Sequence, residues 1–147
     1  MDRMRKTQRY SAIVDVHLLL MSNGRILLGQ RQNTGFQDRN YHLPAGHLEP
    51  DETILEALMR EAREELGIKI KPDQARLAML MHQKSSTGRL GVFFVVQEWE
   101  GEIVNAEPDK CSHLKWFDLD NLPDNMVPYA KEAVAQYRHG QTLVFYG

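Results

Sequence analysis

The run Arg60-Glu61-Ala62-Arg63-Glu64-Glu65 sets three carboxylates at i, i+3 and i+4. On a helix this spacing gathers the side chains on one sector, within reach of a shared point. Like charges so placed destabilise a helix by about 0.2–0.5 kcal/mol per pair. A divalent cation would offset that repulsion. Hard Mg²⁺ takes oxygen ligands in octahedral geometry and commonly shares its shell with substrate phosphates. Taken alone, the hexapeptide also reads as a solvated, salt-bridged helix face. Two upstream features favour the chemical reading: Glu52, and the Pro44-Ala45-Gly46 turn, where glycine lets backbone groups approach an ion or a phosphate closely.

The carboxylates need a helix to hold them, and Thr53 to Leu66 contains neither Gly nor Pro. Thr53 follows the acidic pair Asp51 and Glu52 at the start, and Gly67 stands where a C-terminal cap belongs. At 100° per residue, Leu55, Leu58, Met59, Ala62 and Leu66 form the packing stripe. Glu56, Arg60 and Arg63 fall opposite it, in water. Before the helix, SAIVDVHLLLM and RILLGQ around SNG read as a hairpin, RQNTGFQDRN as a loop, and YHLPAGHLE as a short extended piece. After it, IKIKPD and ARLAMLMHQ read as a strand pair or one broken strand, and RLGVFFVVQEW and LKWFDL as strands. The segment LPDNMVPYAKEAVAQYRHG reads as a turn and a closing helix, with TLVFY a last strand. Strands and two helices without regular βαβ alternation indicate an α/β (α+β) chain with a mixed sheet and helices packed on it.

The 147 residues, 42% hydrophobic and 26% charged, suit one domain over 1–147 with one core. A net charge of -2 gives no basic field for nucleic-acid backbones or anionic membranes, so no polymeric nucleic acid is implied. No apolar run nears the ~18 residues of a membrane span. The opening MDRMRKTQRY is charged and has no signal-type apolar core behind it, so a cytoplasmic chain is the expectation. Cys111 is the single cysteine, excludes an internal disulfide, and has no catalytic motif around it. His42 and His47 read as loop residues without a zinc cluster, Trp116 and Phe117 as core, and Lys110 and Lys115 as solvated. A homodimer is left open.

Gly46, five residues, Glu52, seven residues, then Arg60-Glu61-Ala62-Arg63-Glu64-Glu65-Leu66-Gly67-Ile68 resembles the signature of the Nudix hydrolases. Ala62, where a larger aliphatic is common, is the one mild departure. The strand order resembles that family, in its MutT-like branch, over nearly the whole chain. The resemblance implies a Nudix-type α/β/α sandwich with a mixed central β-sheet, and cleavage of a nucleoside diphosphate derivative with Mg²⁺ or Mn²⁺. It implies Glu61, Glu64 and Glu65 as metal ligands, with the Ala45 carbonyl a further one. Arg60 is similar to an arginine that braces Glu52, and Glu52 is either that partner or part of the general-base machinery. Glu64 joins the implied catalytic set, and Glu107 resembles a downstream loop glutamate that joins the metal site or serves as base. Arg31 resembles a phosphate-contacting arginine, and Asn125 stands where MutT-like enzymes read the base.

Sub-family marks exclude more than they select. The neighbourhood MHQKSSTG holds neither the proline of many ADP-ribose hydrolases nor the tyrosine of dinucleoside polyphosphate hydrolases. No SQPWPFPxS-like stretch and no coenzyme-A-type motif is present, and the acidic pair of some oxidised-purine enzymes is not evident at Tyr129 and Ala130. With these set aside, the resemblance to MutT-like members implies a nucleoside triphosphate, oxidised or not, hydrolysed to monophosphate and pyrophosphate. ADP-ribose, a sugar nucleotide, a capped RNA end, or a non-catalytic nucleotide-binding regulator are the alternatives.

Overall fold

Asn23 and Gly24 both hold positive φ, 53° and 74°, and close a two-residue turn between β1 (Ile13–Ser22) and β2 (Arg25–Arg31). This is the type I′ geometry whose twist matches antiparallel strands, and Asn-Gly is its preferred pair. The computed structural model describes residues 9–85 and 87–147. The opening residues 1–8, and with them most of the charged start, lie outside the described residues, as does residue 86.

The chain continues through β3 (Tyr41–His42), β4 (Ala45–His47), helix α1 (Ile54–Leu66), β5 (Ala75–Gln83), β6 (Arg89–Val96), β7 (Cys111–Asp118), helix α2 (Pro128–Arg138) and β8 (Leu143–Tyr146). The strands run in the order β3-β2-β1-β6-β5-β8, with β4 on β1 and β7 on β2. The β1/β6 and β5/β8 pairs are parallel and the others antiparallel, so the sheet is mixed as expected. On one side β1 changes partner along its length. Asp15, Val16 and His17 pair with β4, whereas Met21 and Ser22 pair with β2.

Period-two alternation buries the central strands on both faces. Val16, Leu18 and Leu20 of β1 and Val92, Phe94 and Val96 of β6 face α1, where Ala57, Leu58, Ala62 and Leu66 cover them. Leu19, Met21, Phe93 and Val95 face the opposite way, under Ala130, Ala133 and Val134 of α2. A helix on each face of one sheet is the α/β/α sandwich. Trp116 and Phe117 pack on opposite faces of it, as the core reading expected.

Two expectations change. IKIKPD does not pair with β5: Ile68 and Ile70 are buried plugs, Lys69 bridges Glu100, and Pro72–Gln74 is a 3₁₀ turn whose proline cannot donate to a ladder. The helical stripe shifts too, because Ala57 is fully buried while Leu55 and Met59 are only half-buried at the margin.

The helix that carries the carboxylates is fixed at both ends. Thr53 and Glu56 form a reciprocal capping box, Glu56 N–H to Thr53 Oγ1 at 3.1 Å and Thr53 N–H to Glu56 Oε1 at 2.8 Å. Gly67, at φ 68°, donates its N–H to the Arg63 carbonyl. Thr53→Ala should lower unfolding stability by about 1 kcal/mol, read from the urea midpoint at unchanged m-value, and Thr53→Ser should restore most of it.

Candidate functional site

A cleft of about 830 Å³ opens where β1 exchanges β4 for β2, lined on one side by the α1 carboxylates and on the other by strand residues. Arg60 organises the helix side. Its guanidinium grips Glu52 with two bonds, Nε to Oε2 at 3.1 Å and Nη2 to Oε1 at 2.9 Å, and Nη2 also donates to the His47 carbonyl at 2.9 Å. Its Nη1 reaches Glu61 Oε1 at 2.7 Å and Glu64 Oε2 at 3.4 Å. The side chain is 15% exposed, not in water as its angle on the helix suggested, because the segment from β4 to Thr53 folds over it. A bidentate arginine-carboxylate pair is geometrically specific as well as strong, so Arg60 ties the turn before the helix to the helix itself.

Glu52 therefore has a settled place. Its oxygens take Arg60 and the Glu49 N–H, its carboxyl is held low by Arg60, and it does not line the cleft. Glu61, 14% exposed, lies directly over Gly46. A Cβ there would come within 2.0 Å of the Glu61 carboxylate, so glycine lets that carboxylate rest against the β4 backbone where a side chain would push it aside. Glu65 accepts the Ala45 N–H at 3.1 Å on the free edge of β4. Desolvation, then the charges of Glu61 and Glu107, hold its carboxyl well above the ordinary range. Desolvation also raises Glu61, against the pull of Arg60. Glu64 is 47% exposed at the rim.

Arg31 lines the cleft, donates Nε–H to the Phe36 carbonyl at 2.8 Å, and lies over the Phe36 ring. Asn125 is not among the lining residues. Its amide donates to the Arg39 carbonyl at 3.0 Å, fastening the loop after β2. Cys111 also lines the cleft, half-buried, with its thiol pushed up by desolvation, the reverse of nucleophile activation.

The wall opposite the helix holds residues that sequence reasoning missed. Tyr129 Oη sits 2.9 Å from His17 Nε2 and 3.0 Å from His42 Nε2. A hydroxyl has one proton, so it donates to one imidazole and accepts from the other. Both histidines are buried, their Nδ1 atoms without a partner among the described residues, and His17 stacks on Phe93. His42 on β3 is thus no loop residue, and neither is His47, the last residue of β4. For His42 a signal was absent, whereas Asp15 and His17 did give one: two polar residues two apart in an apolar strand, hence on one face.

The acidic side has the donor set for a hard cation: carboxylate oxygens, two of them with pKa values raised first by burial and then by neighbouring carboxylates. Among the described residues no three acidic, histidine or cysteine side chains already converge on one point. Arg60 draws Glu61 and Glu64 toward itself, so these two would turn from it to ligate.

Burial pushes the His17 pKa down to about 4 and that of His42 well below its ordinary value. With folded values under the unfolded ~6.5, both stabilise the fold fully above that value, and this stability is lost as pH falls through it toward the folded value. Proton NMR should show the His17 ring still neutral at pH 5; a midpoint near 6.5 would contradict its burial against Tyr129 and Phe93.

A NUDIX domain profile matches residues 10–137. The chain is 32% identical over 130 residues to the NAD-capped RNA hydrolase NudC of Stutzerimonas stutzeri, covering 88% of this chain and 44% of that protein. It is 27% identical over 142 residues to the human 8-oxo-dGDP phosphatase NUDT18, covering 92% and 42%. The chain thus spans less than half the length of these curated relatives. The crystal structure of a MutT NUDIX hydrolase from Burkholderia pseudomallei superposes with a TM-score of 0.77 at 27% identity, covering 86% of this chain and 98% of that one. With Gly46, Arg60, Glu61, Glu64 and Glu65 of its signature on one cleft and the profile spanning residues 10–137, this chain belongs to the NUDIX domain family.

Proposed function

We infer that the cleft hydrolyses a phosphoanhydride bond in a nucleoside diphosphate derivative with Mg²⁺ or Mn²⁺, foremost a nucleoside triphosphate to its monophosphate and pyrophosphate. The observation that carries this reading is the desolvated Glu65 carboxyl crowded by Glu61 and Glu107, which favours a ligand of positive charge. Glu61, Glu64 and Glu65 would hold the cation, with the Ala45 carbonyl beside them. Once bound, a divalent cation supplies positive charge against the phosphates and lowers the pKa of water. Arg60 keeps Glu61 at the cleft wall and Glu52 out of it, acting through position. Glu107, which lines the cleft, and Glu64, at its rim beside Arg60, are the carboxylates assigned to take the proton of the attacking water, since Glu52 is engaged by Arg60 and Glu49. Arg31, close enough to bear on Glu65, His42 and Tyr129, bridges the acidic end and the uncharged end and suits a phosphate between them.

In this reading the phosphates lie toward the carboxylates and the uncharged base toward His42 and Tyr129. A capped RNA end is the second reading, favoured by the 32% identity to a protein of that description. With Mg²⁺ and a panel of canonical and oxidised nucleoside triphosphates, ADP-ribose and NAD-capped RNA, pyrophosphate should be released from a triphosphate. Glu65→Gln should lower kcat on the order of 10³-fold, several kcal/mol of lost cation chemistry, while circular dichroism remains unchanged. Wild-type turnover in that variant would remove Glu65 from the metal set.

A further inference from the structure

We propose that Arg89, oriented by buried Asp15 and flanked by His47, is a second anion-binding arm of the cleft, which takes a third phosphate beyond the two held at the carboxylate end. Asp15 lies in the middle of the sheet on β1, with a side chain only 10% exposed. A buried carboxylate is costly unless paired. Asp15 accepts Arg89 Nη1–H at 2.9 Å on one oxygen and faces His47 Nδ1 on the other. Strand register puts all three on one face: Asp15 is opposite His47 on β4 and opposite Gly91 on β6, two residues from Arg89. The partners themselves remain open to solvent, Arg89 at 40% and His47 at 66%. A guanidinium carries five N–H donors; Asp15 engages one nitrogen, and the side chain, 40% exposed, lines the cleft.

The same cleft runs from Glu61 and Glu65 past His47 to Arg89 and Gln83. Gly46 presents its face to Glu61, and the next residue, His47, presents the other face of β4 to this arm. A phosphate chain seated at the carboxylates therefore has a continuous path to an arginine already restrained. The arginine fork matches phosphate oxygens bidentately, which lysine does not. A cross-strand latch alone would account for the Asp15–Arg89 pair, but not for its opening onto the cleft.

The inference rests on phosphates occupying the carboxylate end and is tested by binding rather than turnover. Calorimetry of the full chain with Mg²⁺ should give tighter binding of inorganic tripolyphosphate than of pyrophosphate, by about tenfold. Arg89→Gln should abolish that preference while pyrophosphate affinity stays within twofold, and Arg89→Lys should retain part of it. Equal affinity for the two probes in the wild type, or parallel loss of both in Arg89→Gln with the fold intact by circular dichroism, would overturn the arm. If Arg89→Gln does not fold, Arg89→Lys decides: full wild-type preference there, with its single point charge, argues against a fork. Selective tripolyphosphate binding with no hydrolysis of any nucleotide would sink the hydrolase reading and leave the arm standing.

Discussion

Three carboxylates facing one partly desolvated cleft repel each other, and much of the local structure is arranged to hold them there. Ionising Glu65 in the folded chain is unfavourable: its raised pKa means the fold loses stability as pH rises through the carboxylate range. Arg60 offsets part of this by bonding Glu61 and leaning on Glu64, and is itself held by Glu52 and the His47 carbonyl. The repulsion left over is the feature a cation would relieve. Stability given up at a site and recovered on binding is a common way for a binding centre to be built.

The sheet makes this arrangement affordable in free energy by separating tasks between its faces. On the α1 face, Val16, Leu18 and Leu20 pack against Leu58, Ala62 and Leu66, which anchors the helix and sets the height of Glu61 over Gly46. On the α2 face the same strand presents Asp15 and His17, which meet Arg89 and Tyr129. One strand with a period of two thus anchors the helix of the acidic end through its apolar residues and walls the polar end through its polar ones. The fork where β1 leaves β4 for β2 creates the opening between them.

What was legible in the sequence was local. The Asn23-Gly24 turn, the Thr53 start and the Gly67 stop are interactions within four residues, and each residue type there has few structural alternatives. The carboxylate spacing was legible for the same reason, since a helix fixes its own i, i+3 and i+4 neighbours. Arg60 was placed in water because a helical projection gives an angle and not what lies above it; the covering segment was adjacent in sequence but its path was not encoded in any periodicity. Long-range pairs gave the least. His17 meets Tyr129 across 112 residues and Asp15 meets Arg89 across 74, and neither spacing leaves a pattern in a single chain. Asn125 shows the reverse case, a loop residue expected at the base whose amide instead fastens the Arg39 carbonyl.

The central claim is that Glu61 and Glu65 form a cation site whose repulsion the ion relieves. Mn²⁺ binding followed by electron paramagnetic resonance, in the absence of any nucleotide, tests it most directly. The account predicts a site that Glu65→Gln and Glu61→Gln each weaken by at least tenfold, with both variants as stable as or more stable than the metal-free parent. Undiminished Mn²⁺ binding in both variants would contradict it.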